Sequence, residues 1–306
     1  GCMIIPAGPT ENRGGRGRGV IGGGYNNAPN AALNSLQVIT IATTGNAQDF
    51  GDLYSQRTSM GSAGNATRGL FAGGDSVPGQ TDTDVISFVV MSSLGGGNQF
   101  GRLRSDRAYF SGMANNTRGV FCGGTTTPGY GAGTTRAIED VTIATFGNSE
   151  SFGSLSRPAY NVNAVSNTTR GLINIGQVTT SEGTTYDNAI EYISMQTGGS
   201  SEDFGNLVSA IKIAGAAAAS STRGLFAAGN IGSSPTITAA IDYVEIATLG
   251  DALDFGDLTV ARDSIAGMSN NVRAVFAGGR TGPPASEALQ DVIDFVTIAS
   301  TGNASD

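Results

Sequence analysis

The stretch Thr67-Arg68-Gly69-Leu70-Phe71-Ala72-Gly73-Gly74 decides how this chain is read, because it is one of six near-copies. The others are GRGVIGGG around Arg18, TRGVFCGG around Arg118, TRGLINIG around Arg170, TRGLFAAG around Arg223 and VRAVFAGG around Arg273. Successive arginines are 50, 50, 52, 53 and 50 residues apart. A period near fifty that persists along the whole chain is the mark of a propeller or solenoid, in which each unit buries its faces only against its neighbours.

Two further marks keep the same step. About twenty residues after each glycine pair comes an alternating apolar stretch, as in Val38-Ile39-Thr40-Ile41, Ile86-Ser87-Phe88-Val89, Tyr243-Val244-Glu245-Ile246 and Phe295-Val296-Thr297-Ile298. That alternation predicts half-buried strands. A Phe-Gly pair then recurs at Phe50, Phe100, Phe152, Phe204 and Phe255, and no sixth copy follows Ala304-Ser305-Asp306. In register, Gly1-Cys2-Met3 aligns with Gly51-Asp52-Leu53. The expectation is a ring cut inside one unit, with the N-terminal segment around Met3-Ile4-Ile5 completing the last blade and so removing two open sheet edges.

The register runs from residue 1 to residue 306 without a linker, so one domain is expected: an all-β, six-bladed propeller of four-stranded antiparallel blades. Composition agrees. Only 14% of residues are charged, with 47 glycines, no tryptophan and no histidine, which suits a turn-rich β protein. The net charge is −8, and Lys212 is the one lysine among the cations. Nucleic acid is therefore not an expected partner, since phosphate contacts need a concentrated basic surface; Arg13-Gly14-Gly15-Arg16-Gly17-Arg18 reads as a turn into the first repeat. Cys122 replaces Ala72, Ala227 and Ala277 of other repeats and reads as a small buried thiol. Cys2 has no evident pairing role. No apolar span is long enough for a membrane, and a soluble chain with no membrane insertion is expected.

The glycine pairs Gly23-Gly24, Gly73-Gly74, Gly123-Gly124 and Gly278-Gly279, the aromatics Phe88, Tyr192, Tyr243 and Phe295, and the basic residues Arg57, Arg107 and Arg262 together resemble the kelch repeat, whose units form propeller blades. In that resemblance the basic residue opens the first strand of a blade, with Arg157 two residues early and Lys212 about one late. The chain departs from kelch in having Phe where the last strand usually carries Trp. High similarity between repeats and Asn/Thr-rich loops also resemble kelch-like proteins on the virions of tailed, especially marine, bacteriophages. That likeness implies a virion or extracellular location and other proteins of a larger assembly as partners.

Lack of histidine removes the commonest general base and most zinc or copper sites, so neither catalysis nor a cofactor is expected. The acidic turn residues Asp49, Asp52, Asp251, Asp254 and Asp257 are matched elsewhere by Gln99, Arg102, Ser154 and Asn206. No repeated metal site follows, because a hard cation takes about six to eight oxygens. The six arginines Arg18, Arg68, Arg118, Arg170, Arg223 and Arg273 admit two readings, an anion-binding collar or a structural element repeated in every blade; their repetition favours structure. Sequence variation concentrates after each glycine pair, in loops expected to share one face. Tyr25, Tyr130, Arg136, Tyr186 and Arg280 are the candidate contacts there, for protein partners or surface glycans.

Overall fold

The computed structural model describes residues 17–26, 31–76, 81–128, 133–208, 213–232, 236–282 and 288–306. Among the described residues there is no helix, and six antiparallel sheets follow one another as the blades of a β-propeller. The second blade shows the plan. Gly61–Gly64 lies nearest the axis, then come Arg68–Ala72, Val85–Val90 and, outermost, Asn98–Arg102. Each Arg-Gly stretch is thus the second strand of a blade and each alternating stretch the third, where Leu70 stands opposite Phe88.

The Phe-Gly pair now has a local explanation. Between the third and fourth strands the register slips by one residue in each of the first five blades, at Leu36/Gln37, Ile86/Ser87, Ile138/Glu139, Ile190/Glu191 and Ile241/Asp242. In the second blade Ile86 pairs with Gly101 and Ser87 with Gln99, leaving Phe100 as the extra residue of a bulge. A bulge re-aims its side chain, and Phe100 is buried among Ile86, Leu103, Val141 and Ile143 of its own blade and the next. Burying such a ring contributes about 1.5–3 kcal/mol. The glycine serves the neighbour: a Cβ on Gly101 would lie 1.9 Å from the Gly147 carbonyl oxygen, and one on Gly153 2.0 Å from that of Gly199. The blades meet there through Gly147 N–H, which donates to the Phe100 carbonyl at 3.2 Å, as Gly95 does to Phe50 at 2.8 Å.

The first and last blades pack together. Ile39 and Ile41 form one cluster with Ala266, Met268, Val275 and Ala277, and Gly19 lies so close to the Met268 thioether that a Cβ there would sit 2.2 Å from the sulfur. Three strands are described in the first blade, Arg18–Gly22, Ser35–Thr40 and Gln48–Asp52, and three in the last, Ala266–Ser269, Arg273–Ala277 and Ile293–Thr297. Ser305 bridges to Phe295 in the register by which Leu253 meets Tyr243, so an outer strand begins at that point. The expected N-terminal latch, with Cys2 and Met3, lies outside the described residues.

Arg57, Arg107 and Arg262 do not open the innermost strands. They precede them and are wholly buried. Arg262 Nη2 donates to Asp294 at 2.8 Å while Nη1 donates to the Gly278 and Val292 carbonyls; Arg107 pairs with Glu139; Arg57 donates to the Gly73 and Val85 carbonyls and to Ser87. Arg157, displaced in sequence, instead reaches Asp187 near the surface at 2.7 Å. Lys212 is outside the described residues.

Candidate functional site

A cavity of about 760 Å³ lies along the axis, walled by the innermost strands of blades two to six. Most of the wall is committed to structure. Ser166 Oγ donates to the Ala114 carbonyl and Ser269 Oγ to that of Ala219, both at 2.7 Å, while Ser111 Oγ accepts from Ala164 N–H at 3.1 Å, stitching each inner strand to the next. At the mouth, the five equivalent residues Ser59, Tyr109, Asn161, Ala214 and Ser264 all have positive φ, from 51° to 57°. Tyr109 N–H donates to Ser59, Asn161 to Tyr109, and Ser264 to Ala214, main chain to main chain between blades. A left-handed conformation in a non-glycine residue is sparsely populated, and these three blade-to-blade bonds engage all five of these residues.

Variable segments after the glycine pairs of blades one, two, five and six reach this mouth, and several of the variable segments form hairpins, which is more order than the loops expected from sequence. Two-residue ladders form at Tyr25–Asn26 with Ala31–Ala32, at Asp75–Ser76 with Thr81–Asp82, and at Arg280–Thr281 with Ala288–Leu289. In the fourth blade the hairpin is continuous with the sheet, because Arg170–Thr180 and Gly183–Ser194 stay paired past a register shift at Gly176. Its β-branched run Val178-Thr179-Thr180 against Thr184-Thr185 favours extension.

Of the sequence-predicted contacts, Tyr25 and Arg280 line the cavity. Arg280 Nε is 2.7 Å from Asp263 Oδ1. Tyr186 lies on the long hairpin opposite Gln177, and Arg136 is exposed at the base of the third blade's segment; neither lines the cavity. Tyr130 lies outside the described residues.

The repeated arginines are also absent from the cavity lining. Arg68 Nη1 donates to Ile143 in the next blade at 2.7 Å, Arg170 to Ile246 at 2.7 Å, Arg223 to Ala299 at 2.9 Å, and Arg18 and Arg118 to Met91 and Met195 at 3.2 Å, in every case to a main-chain carbonyl. Several guanidinium groups also sit over aromatic rings, 4.7 Å from Tyr192 for Arg170, 4.7 Å from Tyr243 for Arg223 and 4.2 Å from Phe295 for Arg273. Among the described residues Arg273 Nη1 is buried without a hydrogen-bond partner. Asp251, among the acidic turn residues, accepts from Asn206 N–H of the preceding blade at 2.9 Å.

The group that sequence reasoning missed is Asp75. It lines the cavity mouth, is 4% exposed, and stands directly opposite Asp82, which is 6% exposed, across the short ladder of the second blade. Tyr109 Oη donates to Asp75 Oδ2 at 3.2 Å, and among the described residues Asp75 Oδ1 and Asp82 Oδ2 are buried without partners. Burial raises the Asp75 pKa against the pull of the Tyr109 hydrogen bond. Asp82 is pushed up to about 6 by burial first and then by the charges of Asp75 and Asp106, and Tyr109 is pushed up to about 12 by burial and by Asp75. The available signal is that Asp75 is the one acid at a position otherwise filled by Tyr25, Thr125, Gln177, Asn230 and Arg280. Among the described residues no three His, Cys, Asp or Glu side chains converge as metal ligands. Cys122 is buried, and burial pushes its thiol up to about 12.

A comparison with models of known protein families matches none of them, and a comparison with curated proteins finds no significant relative. No helix among the described residues is long and apolar enough to cross a membrane.

Proposed function

We propose that this chain is a non-catalytic attachment or structural module of a larger assembly, a kelch-type propeller on a phage virion that uses the hairpins at its cavity mouth for protein contacts. One contrast carries the reading: five of the six repeated arginines are consumed in holding blades together, while Tyr25, Asp75, Asn230 and Arg280, which differ between blades at one repeat position, line one mouth. Loops on a rigid scaffold commonly carry recognition, and Tyr25 and Leu289 are exposed there at 38% and 50%. The kelch-like repeat pattern and its resemblance to phage virion proteins supply the setting. Cross-linking of the native particle tests it. Cross-links from the mouth hairpins to other virion proteins are the expected result, and a chain recovered free of any particle overturns it.

A lectin-like receptor-recognition propeller is the second reading. Tyr25, Tyr109, Asn161 and Asp75 around one cavity are side chains suited to hydroxyl-rich ligands. Saturable binding on a glycan array, abolished by Tyr25→Ala, would favour it over assembly.

A further inference from the structure

Asp75 lines the cavity in the second blade and keeps a buried carboxylate oxygen that has no hydrogen-bond partner among the described residues. Five of the six equivalent positions carry no acid, so the carboxylate is not needed to build a blade. Its neighbours do not neutralise it. Arg57, whose stem passes Gly74, directs its guanidinium at the Gly73 and Val85 carbonyls and at Ser87. The charges that act on Asp82, Asp75 across the ladder and Asp106 beyond it, are both negative. A buried carboxylate oxygen without a hydrogen-bond donor is costly, and here two lie on facing residues.

The surroundings narrow what would satisfy them. Met60 and Phe110 pack against the glycines just ahead of Asp75, and Tyr109 stands beside it, all three lining the cavity. This is an apolar and aromatic approach ending in a carboxylate. A metal ion would ask for more oxygens than two carboxylates supply, and no third ligating side chain converges among the described residues. An ammonium group carries three donors and no acceptor, and its alkyl stem packs on apolar and aromatic walls.

We propose that the cavity mouth beside Asp75 is a receptor for a primary ammonium group, borne on a lysine side chain or on a small free amine, with Asp75 Oδ1 accepting its N–H and Asp82 supplying the second negative charge. This goes beyond the assembly role and does not rest on it, because a small amine would fill the site with no partner protein present.

Saturation-transfer NMR on the full chain, with cadaverine and with a blocked Gly-Lys-Gly peptide as probes, tests the site. Binding by both probes supports it. Binding by the peptide alone supports it and assigns the amine to a protein; binding by cadaverine alone supports it and assigns a small molecule. The acetyl-lysyl peptide, which keeps the stem and loses the charge, is expected to bind at least about tenfold more weakly, as is the lysyl peptide to Asp75→Asn. Asp84→Asn, on a surface carboxylate paired with Arg102 at 2.6 Å, should bind as the parent does. No binding by either probe, equal binding of the lysyl and acetyl-lysyl peptides, or an Asp75→Asn chain that binds unchanged would overturn the proposal. The acetyl-lysine comparison needs no variant, so it decides the matter even if Asp75→Asn fails to fold.

Discussion

Arg262 and Asp294 form an ion pair at 2.8 Å with both side chains wholly buried in the last blade. Burial pulls the Arg262 pKa down while Asp294 pulls it back. Removing one partner from such a pair leaves an uncompensated interior charge and costs about 3–5 kcal/mol, whereas an apolar replacement of both is far milder. Arg262→Met should therefore destabilise strongly, and Arg262→Met combined with Asp294→Leu should recover part of the loss. Recovery stays partial because the Gly278 and Val292 carbonyls also lose the donor. Urea denaturation of the parent, both single variants and the double variant measures this; equal midpoints for Arg262→Met and the double variant would show that the charge is not what matters.

Two glycines in adjacent blades separate close approach from flexibility. Gly101 has the Gly147 carbonyl 1.9 Å from where its Cβ would be, while nothing lies within 4 Å of a Cβ on Gly147 itself. Gly101→Ala is expected to cost about 3 kcal/mol by forcing two blades apart. Gly147→Ala should stay within about 0.5 kcal/mol. Thermal midpoints of the two variants check the contrast, and similar losses in both would mean that backbone entropy, not the blade contact, selects these glycines.

The repeated features were legible in sequence because a ring repeats its contacts. Arg68, Phe100 and Gly101 recur at fixed intervals since each must meet the same atoms of the next blade. Burial of Arg107 and Arg262 was less legible, although a signal existed: the residue just before the third-strand aromatic position is Glu139, Glu191, Asp242 or Asp294 in four blades. Asp75 was illegible for a different reason. Its importance comes from facing Asp82 across a hairpin and from Tyr109 reaching over from the next blade, and neither relation has a period.

The inter-blade arginines are predicted to differ in worth according to what lies beneath them. Arg68 donates to Ile143 and also stacks 4.7 Å from the Phe146 ring and 5.4 Å from Phe88. Arg18 makes a longer bond of 3.2 Å to Met91, and its blade has Val38 in the place of Phe88. Arg68→Ala should cost about 1–2 kcal/mol, combining a hydrogen bond with a cation–π contact, and Arg18→Ala about half of that. Arg68→Lys should recover little, because a lysine lacks the planar guanidinium that both bonds and stacks. Guanidinium denaturation ranks the three; a fully stable Arg68→Lys chain would reduce the role of Arg68 to its charge.

Stability should depend on pH through Asp82, whose pKa rises from 3.8 to about 6 on folding. The folded chain then binds this proton more tightly than the unfolded chain does. Linkage gives the sign: between the two values stability falls as pH rises, and the penalty is complete above about pH 6. At neutral pH the folded state thus carries a buried carboxylate that is also held against Asp75 and Asp106. Asp82→Asn removes that charge while keeping the shape, so it should stabilise the chain at pH 7 by on the order of 1 kcal/mol, solvent screening holding the gain below the full linkage value. Near pH 4, where the parent carboxyl is already protonated, the gain should vanish. Urea midpoints of the parent and of Asp82→Asn across that range give the test. A gain that persists unchanged at pH 4 would trace it to packing, and a loss at pH 7 would mean that the Asp82 charge is compensated in the folded chain.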